Sequence, residues 1–155
     1  MSGAAQEAHL PAWTGGPTPP LALKDLDGRL HDLADYRGTV LLVNFWATWC
    51  APCREELPSL ERLREALRGR SFEVLAVNVN EGESRVKRFL AEVPLGIPVF
   101  LDRNGDAQRA WKVRGLPATF LLDREGAIRF WYLGELDWAR PAIVRTVESL
   151  LPAAR

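Results

Sequence analysis

Eight residues, Thr39 to Trp46, read TVLLVNFW, and only Thr39 and Asn44 among them are polar. A strand with one wet face alternates polar and apolar residues, so a short unbroken apolar run suits a strand covered on both faces. Gly38 bounds the run on one side and a cysteine-containing turn on the other. Covering both faces needs helices on each side of the sheet, which restricts the chain to an α/β layer architecture.

The rest of the pattern fills in those layers. FEVLAVNV (72–79) reads as a second buried strand and Ile97–Leu101 as a third. Leucines at 57, 60, 63 and 67 recur at helical spacing, with Gly69 as a C-terminal stop and Pro58 predicting a kink. Val86, Phe89, Leu90 and Val93 form one apolar stripe of a further helix. Asp102–Gly105 reads as a turn and Ala107–Lys112 as a short helix. ATFLLD, the DREG turn and AIRFWYL read as strand, turn and strand, and Ile143, Val147, Leu150 and Leu151 mark a closing amphipathic helix. Ahead of all this, LALKDLDGRLHDL carries Asp27-Gly28 at the tight turn of a β-hairpin. The early strands should be parallel and the last pair antiparallel. Residues 1–20, with Pro11, Pro17, Pro19 and Pro20 beside Gly15 and Gly16, read as a flexible leader or tether, which leaves 21–155 as the domain.

Charge narrows the partners. Lys plus Arg and Asp plus Glu each number 20, so no basic excess points to nucleic acid or an anionic membrane. The run at Val40–Val43 is broken by Asn44, far short of the roughly 18 apolar residues of a bilayer span. Residues 1–20 lack the basic start and apolar middle of a secretion signal, so membrane attachment would rest on an anchor outside this chain.

Both cysteines, Cys50 and Cys53, sit two residues apart in NFWATWCAPCREELP. As a staple they do little: closing so short a loop is worth about 2 kcal/mol in the chain-entropy account, against roughly 5 for a long one. As half a zinc site they lack partners, since the histidines are His9 in the leader and His31 in the hairpin, at an ordinary solvated position. Copper delivery through Cys50, Cys53 and a distant His stays open, and the alternative function is a metallochaperone that binds copper or zinc through the two thiols.

Redox chemistry uses more of the surrounding residues. Cys50 follows a buried strand and begins a helix, whose free N–H groups and dipole stabilise thiolate. A thiol with a pKa of about 8.5 is only about 3% thiolate at neutral pH, and lowering the pKa to about 7 raises that fraction roughly tenfold. Cys53, one turn on, is more buried and placed to resolve a mixed disulfide. Pro52 occupies an early helical position where its missing N–H costs nothing, and Ala51 is small and uncharged. Trp46 reads as core, whereas Trp49 reads as part of an apolar rim for a partner chain.

NFWATWCAPCREELP resembles the active-site segment of thioredoxin-fold proteins, specifically the TlpA/ResA-like branch, which includes reductases of cytochrome c maturation. VRGLPATFLLDREG (113–126) is similar to the family segment with a cis-proline beside the dithiol, and Pro117 is the matching residue. Read alone, the sequence leaves a trans proline opening a strand equally open. A cis bond would leave the backbone of Leu116 free to pair with an extended substrate. Room for an extra helix (84–93) and strand (97–101) before Pro117 matches the insertion of this branch. The implied fold is therefore a thioredoxin-like α/β sandwich with an N-terminal β-hairpin and an inserted helix plus strand.

Where thioredoxin has a buried Asp, this chain has Asn44, as the branch does. The resemblance instead implies a Glu at the start of the inserted helix, which ungapped matching of AVNVNEGES puts at Glu81, with Glu83 as its substitute and a solvated helix cap as the plain alternative. A peroxiredoxin would need Pro and Thr where Val43 and Ala47 stand, and a single peroxidatic Cys. The implied activity is thiol:disulfide exchange, as a reductase of partner disulfides outside the cytoplasm, in cytochrome c maturation or copper-site assembly. Cys50 attacks, Cys53 resolves, Glu81 shuttles a proton, and Trp49, Leu116 and Pro117 hold the client. No cofactor or metal is implied. The partners are protein disulfides and an upstream dithiol donor, the chain being a monomer in the periplasm or another extracytoplasmic space.

Overall fold

The structure is a computed structural model that describes residues 10–153. In it the apolar run is β3 (Val40–Trp46), with all seven residues buried. On one side lies β4 (Phe72–Val79), parallel to it, and on the other β6 (Ala118–Leu122), antiparallel. With β1 (Ala22–Asp25), β2 (Leu30–Asp32), β5 (Val99–Asp102) and β7 (Ile128–Leu133), the sheet order is β2-β1-β5-β4-β3-β6-β7. β3, β4 and β5 are parallel, and β6 and β7 are antiparallel, as the strand pattern implies.

Successive side chains of β3 face opposite ways and both faces are covered, which is why the run is apolar except for Asn44. Val40, Leu42 and Trp46 join Leu57, Leu60 and Leu63 of α1 (Ala51–Ala66), Val86 of α2 (Glu83–Glu92), and Ile143 and Val147 of α4 (Pro141–Glu148). Leu41, Val43 and Phe45 enter a second cluster with Phe120, Trp111 and Ala107, the last from α3 (Asp106–Ala110). Each fully buried leucine contributes roughly 1.5–3 kcal/mol, so α1 is held mainly by this face.

The insertion stands between β4 and β6 as α2 and β5. The hairpin is β1–β2, with Gly28 at φ +85° and the Asp25 carboxylate accepting from the N–H of Asp27 and Arg29. α1 continues through Pro58 as one element, and Gly69 at φ +82° follows its end. Four elements have shifted boundaries. β5 starts at Val99 because Pro98 has no N–H to give, although its C=O accepts from Ala76. α2 spans 83–92 and α3 spans 106–110, each close to its expected place. α4 ends at Glu148, and Leu151 is buried from the turn beyond it. His31 is also better held than a solvated residue, bonded to Asp25 at 2.7 Å and edge-on to Phe100.

Residues 10–20, part of the expected tether, are laid along the sheet. Ala12 bridges Phe130, Trp131 donates to the Pro11 carbonyl, and Trp13 donates to Arg129. Trp13 packs edge-on against Phe120 and Trp131, and the Thr18 hydroxyl both donates to Gly126 and accepts from Ile128. Prolines can accept but not donate, which suits a segment covering the edge of β7. The remainder of the expected leader, 1–9, with His9, lies outside the described residues.

Candidate active site

β3 ends at Trp46, the chain turns through Ala47–Trp49, and α1 begins at Ala51 with Cys50 as its N-cap. An N-cap side chain accepts from the first turn of its helix, and here the acceptor is sulfur: Cys53 N–H donates to Cys50 Sγ at 3.3 Å. Cys50 is 4% exposed and Cys53 is wholly buried. The two form a disulfide across a Cα–Cα distance of 5.2 Å. Ala51 and Pro52 are exposed in the first turn, and Pro52 sits where a helix needs no N–H.

The loop that presents Cys50 is pinned from two sides. Thr48 donates from its N–H and its hydroxyl to the two carboxylate oxygens of Glu81, at 2.8 and 2.5 Å, and its carbonyl accepts from Arg54 at 2.8 Å. Asn78 donates to Glu81 at 2.9 Å, and Arg85 lies 3.7 Å away. Glu81 is thus buried at the foot of the Cys50 loop, and no hydrogen bond joins it to either cysteine among the described residues. Glu83 is exposed and paired with Lys87.

Across the site the Leu116–Pro117 bond is cis. Pro117 is buried, with its carbonyl taken by the N–H of Gly134, and Leu116 packs half-buried against both cores. Trp49 is 66% exposed on the same loop as Cys50. Leu133, 51% exposed, lies beside Gly115, where a Cβ would come within 3.5 Å of it. Trp46, by contrast, is core and stacks at a tilt on Phe89.

The sequence reading missed one group, Glu56. Three residues beyond Cys53, it sits on the helix face that carries Leu57 and Leu60, and is 2% exposed. Its carboxylate accepts from Trp138 Nε1 at 3.0 Å, Asn44 Nδ2 at 2.8 Å and Leu136 N–H at 3.1 Å. Burial outweighs these donors and pushes its pKa up to about 7, with the charge of Glu135 adding a little. An acid on the apolar face of an otherwise leucine-lined helix is the signal that marks it. Asn44 also donates to Thr119 at 2.9 Å, while its Oδ1 is buried without a partner.

Of the two histidines, His31 is bonded to Asp25 in the hairpin. Among the described residues no group of three or more His, Cys, Asp or Glu side chains is arranged around one point.

A seven-stranded sheet with helices on both faces, a dithiol at the end of its central strand and a cis-proline across from it define a thioredoxin-fold redox protein. The chain belongs to the AhpC/TSA family, whose model matches residues 14–131, and within it to the ResA-like branch. It is 37% identical over 138 residues to the thiol-disulfide oxidoreductase ResA of Geobacillus thermodenitrificans (strain NG80-2), covering 89% of this chain and 78% of that one. A structure assigned as the thiol:disulfide interchange protein DsbE of Chlorobium tepidum is similar with a TM-score of 0.75 and 33% identity, over 88% of this chain and 93% of that one. The exposed lipoprotein thioredoxin Etrx1 of Streptococcus pneumoniae strain TIGR4 is similar with a TM-score of 0.74 and 26% identity, over 84% and 99%. The activity is accordingly thiol-disulfide exchange through Cys50 and Cys53.

Proposed function

We propose that the chain reduces disulfides of client proteins outside the cytoplasm, in the manner of cytochrome c maturation or copper-site assembly, and is itself re-reduced by an upstream dithiol protein. The observation that carries this reading is the sulfur of Cys50 acting as N-cap of α1 with Cys53 buried behind it. In the reduced state that position favours thiolate on Cys50. Similarity to an exposed lipoprotein supports the location, and no helix among the described residues is long and apolar enough to cross a membrane.

The exchange then balances in two steps. Cys50 thiolate attacks one sulfur of the client disulfide, forming a mixed disulfide and releasing the other sulfur, which takes up a proton. Cys53 gives its proton to a base and attacks Cys50 Sγ, releasing the second client thiol and leaving Cys50–Cys53 oxidised; two electrons have passed to the client. Glu56 suits the base, being buried on Cys53's helix face with a pKa near the working pH. Glu81, expected as the shuttle, reads as a positioning residue through Thr48. Leu116, Pro117 and Trp49 form the client surface, with Leu116 N–H and C=O for an extended strand. The chain works as a monomer in this reading.

Insulin reduction by dithiothreitol tests the reading. The chain should accelerate it, Cys50→Ser should abolish the acceleration, and Cys53→Ser should trap a mixed disulfide. Equal rates with and without the chain would overturn it. Equilibration of the Cys50/Cys53 pair in glutathione buffers sets the direction: a potential near the reducing end of the roughly −270 to −120 mV span of this fold supports reduction.

A further inference from the structure

β3, β4 and β5 run parallel as neighbours, so the loops that follow them emerge together at the C-terminal ends of these strands. The first of these loops carries Trp49 and Cys50. The other two, with the start of α2, shape an open concavity of about 560 Å³ lined by Gly82, Glu83, Ser84, Arg85, Arg88 and Arg103. Its charge is lopsided. Glu83, the acid on its wall, is already paired with Lys87 at 2.7 Å. Arg88 and Arg103 make no hydrogen bond or ion pair within 4 Å among the described residues, Arg103 being near enough to Glu83 only to help Lys87 lower its pKa, and Arg85 reaches the buried Glu81, at 3.7 Å. Gly82 and Arg103 face each other across this wall, a Cβ at Gly82 coming into ordinary contact, 3.7 Å, with the Arg103 guanidinium. A chain of contacts joins the concavity to the dithiol, from Arg85 through Glu81 to Thr48, two residues before Cys50.

We propose that these arginines read acidic residues flanking the disulfide of the client protein, so that the chain prefers clients with Asp or Glu a few residues from the attacked cysteine. The inference rests on the reading above that clients are protein disulfides. Strands lie roughly 4.8 Å apart, so β5 is about 10 Å from β3, a distance that about three residues of extended chain cover. Carboxylates at that spacing on the β4 side of the attacked sulfur meet the guanidinium groups of Arg88 and Arg103, which present fixed forks for them, whereas Arg85 is held by Glu81. Each exposed pair is weak, but the two acting together on the encounter give roughly a tenfold preference at low salt.

Two synthetic disulfide peptides, identical except for three Asp against three Asn placed three to five residues from one cysteine, test it with the fully reduced chain. The Asp peptide is expected to react about tenfold faster in low salt, and the ratio should fall towards one in about 0.5 M NaCl, where charges are screened within a few ångströms. In R88Q/R103Q the Asp rate should drop to the Asn rate while the Asn rate stays within twofold of wild type, which also reports that the variant folds. Equal rates for the two peptides in wild type at low salt, or an Asp preference that survives R88Q/R103Q, would overturn the proposal. Neither outcome touches the exchange reaction itself, which the Asn peptide measures; failure of both peptides to react would instead strike the underlying reading.

Discussion

Cys50 and Cys53 stand three residues apart but in different surroundings, the first at the mouth of α1 and the second inside it. Reduced protein treated with iodoacetamide at about pH 6 should therefore alkylate at Cys50 at least roughly tenfold faster than free cysteine, and at Cys53 only on unfolding. Equal reactivity of the two sites would remove the helix terminus from the account. Glu56 carries a second expectation at this scale. Its folded pKa of about 7 lies above the ordinary 4.5, so the folded state holds the proton more tightly between those values. Its contribution to stability is fully present below about pH 4.5 and is lost as pH rises through about 7. Denaturant titrations of the oxidised protein at pH 5 and pH 8 should show wild type losing about 2–3 kcal/mol more than Glu56→Gln over that range. Parallel losses would show that Glu56 titrates as an exposed acid does. The cysteines were legible from spacing alone, because a two-residue gap at a strand-to-helix junction is a local fact. Glu56 was not, because its burial depends on Leu136 and Trp138, 80 and 82 residues further along.

Elements show the same division. The apolar run of β3 and the leucine stripe of α1 announce themselves, since an unbroken apolar stretch and a period of 3.6 are both written into neighbouring residues. The segment around Trp13 does not, because four prolines and two glycines look like a tether until the edge of β7 is there to receive it. Trp13 contacts Phe120 and Trp131 from that edge. Trp13→Ala should cost about 2 kcal/mol, less than a fully buried tryptophan, with a lower midpoint in thermal unfolding. A midpoint unchanged from wild type would mean that the segment adds nothing to the domain. Likewise the choice between Glu81 and Glu83 follows from how the loop after β4 meets Thr48, which no local pattern records.

Over the whole molecule, distant parts of the chain meet around the dithiol helix. Ser59, buried on α1, donates to the carbonyl of Glu56 and accepts from the N–H of Trp138, tying the segment after β7 to the helix that carries both cysteines. Ser59→Ala leaves that buried N–H without its partner and should cost about 1–3 kcal/mol in urea unfolding. A smaller loss would mean that the segment finds another acceptor. By itself the sequence determined the layers, the order of strands and helices, and the redox pair, because each depends on residues close together in the chain. Only the tertiary structure decided which acid is buried on the helix that carries Cys53, which carboxylate braces the Cys50 loop, and where residues 10–20 lie. Solvation and hydrogen bonding of those groups are set by neighbours brought from far along the chain, and a pKa or a packed edge exists only once they have arrived.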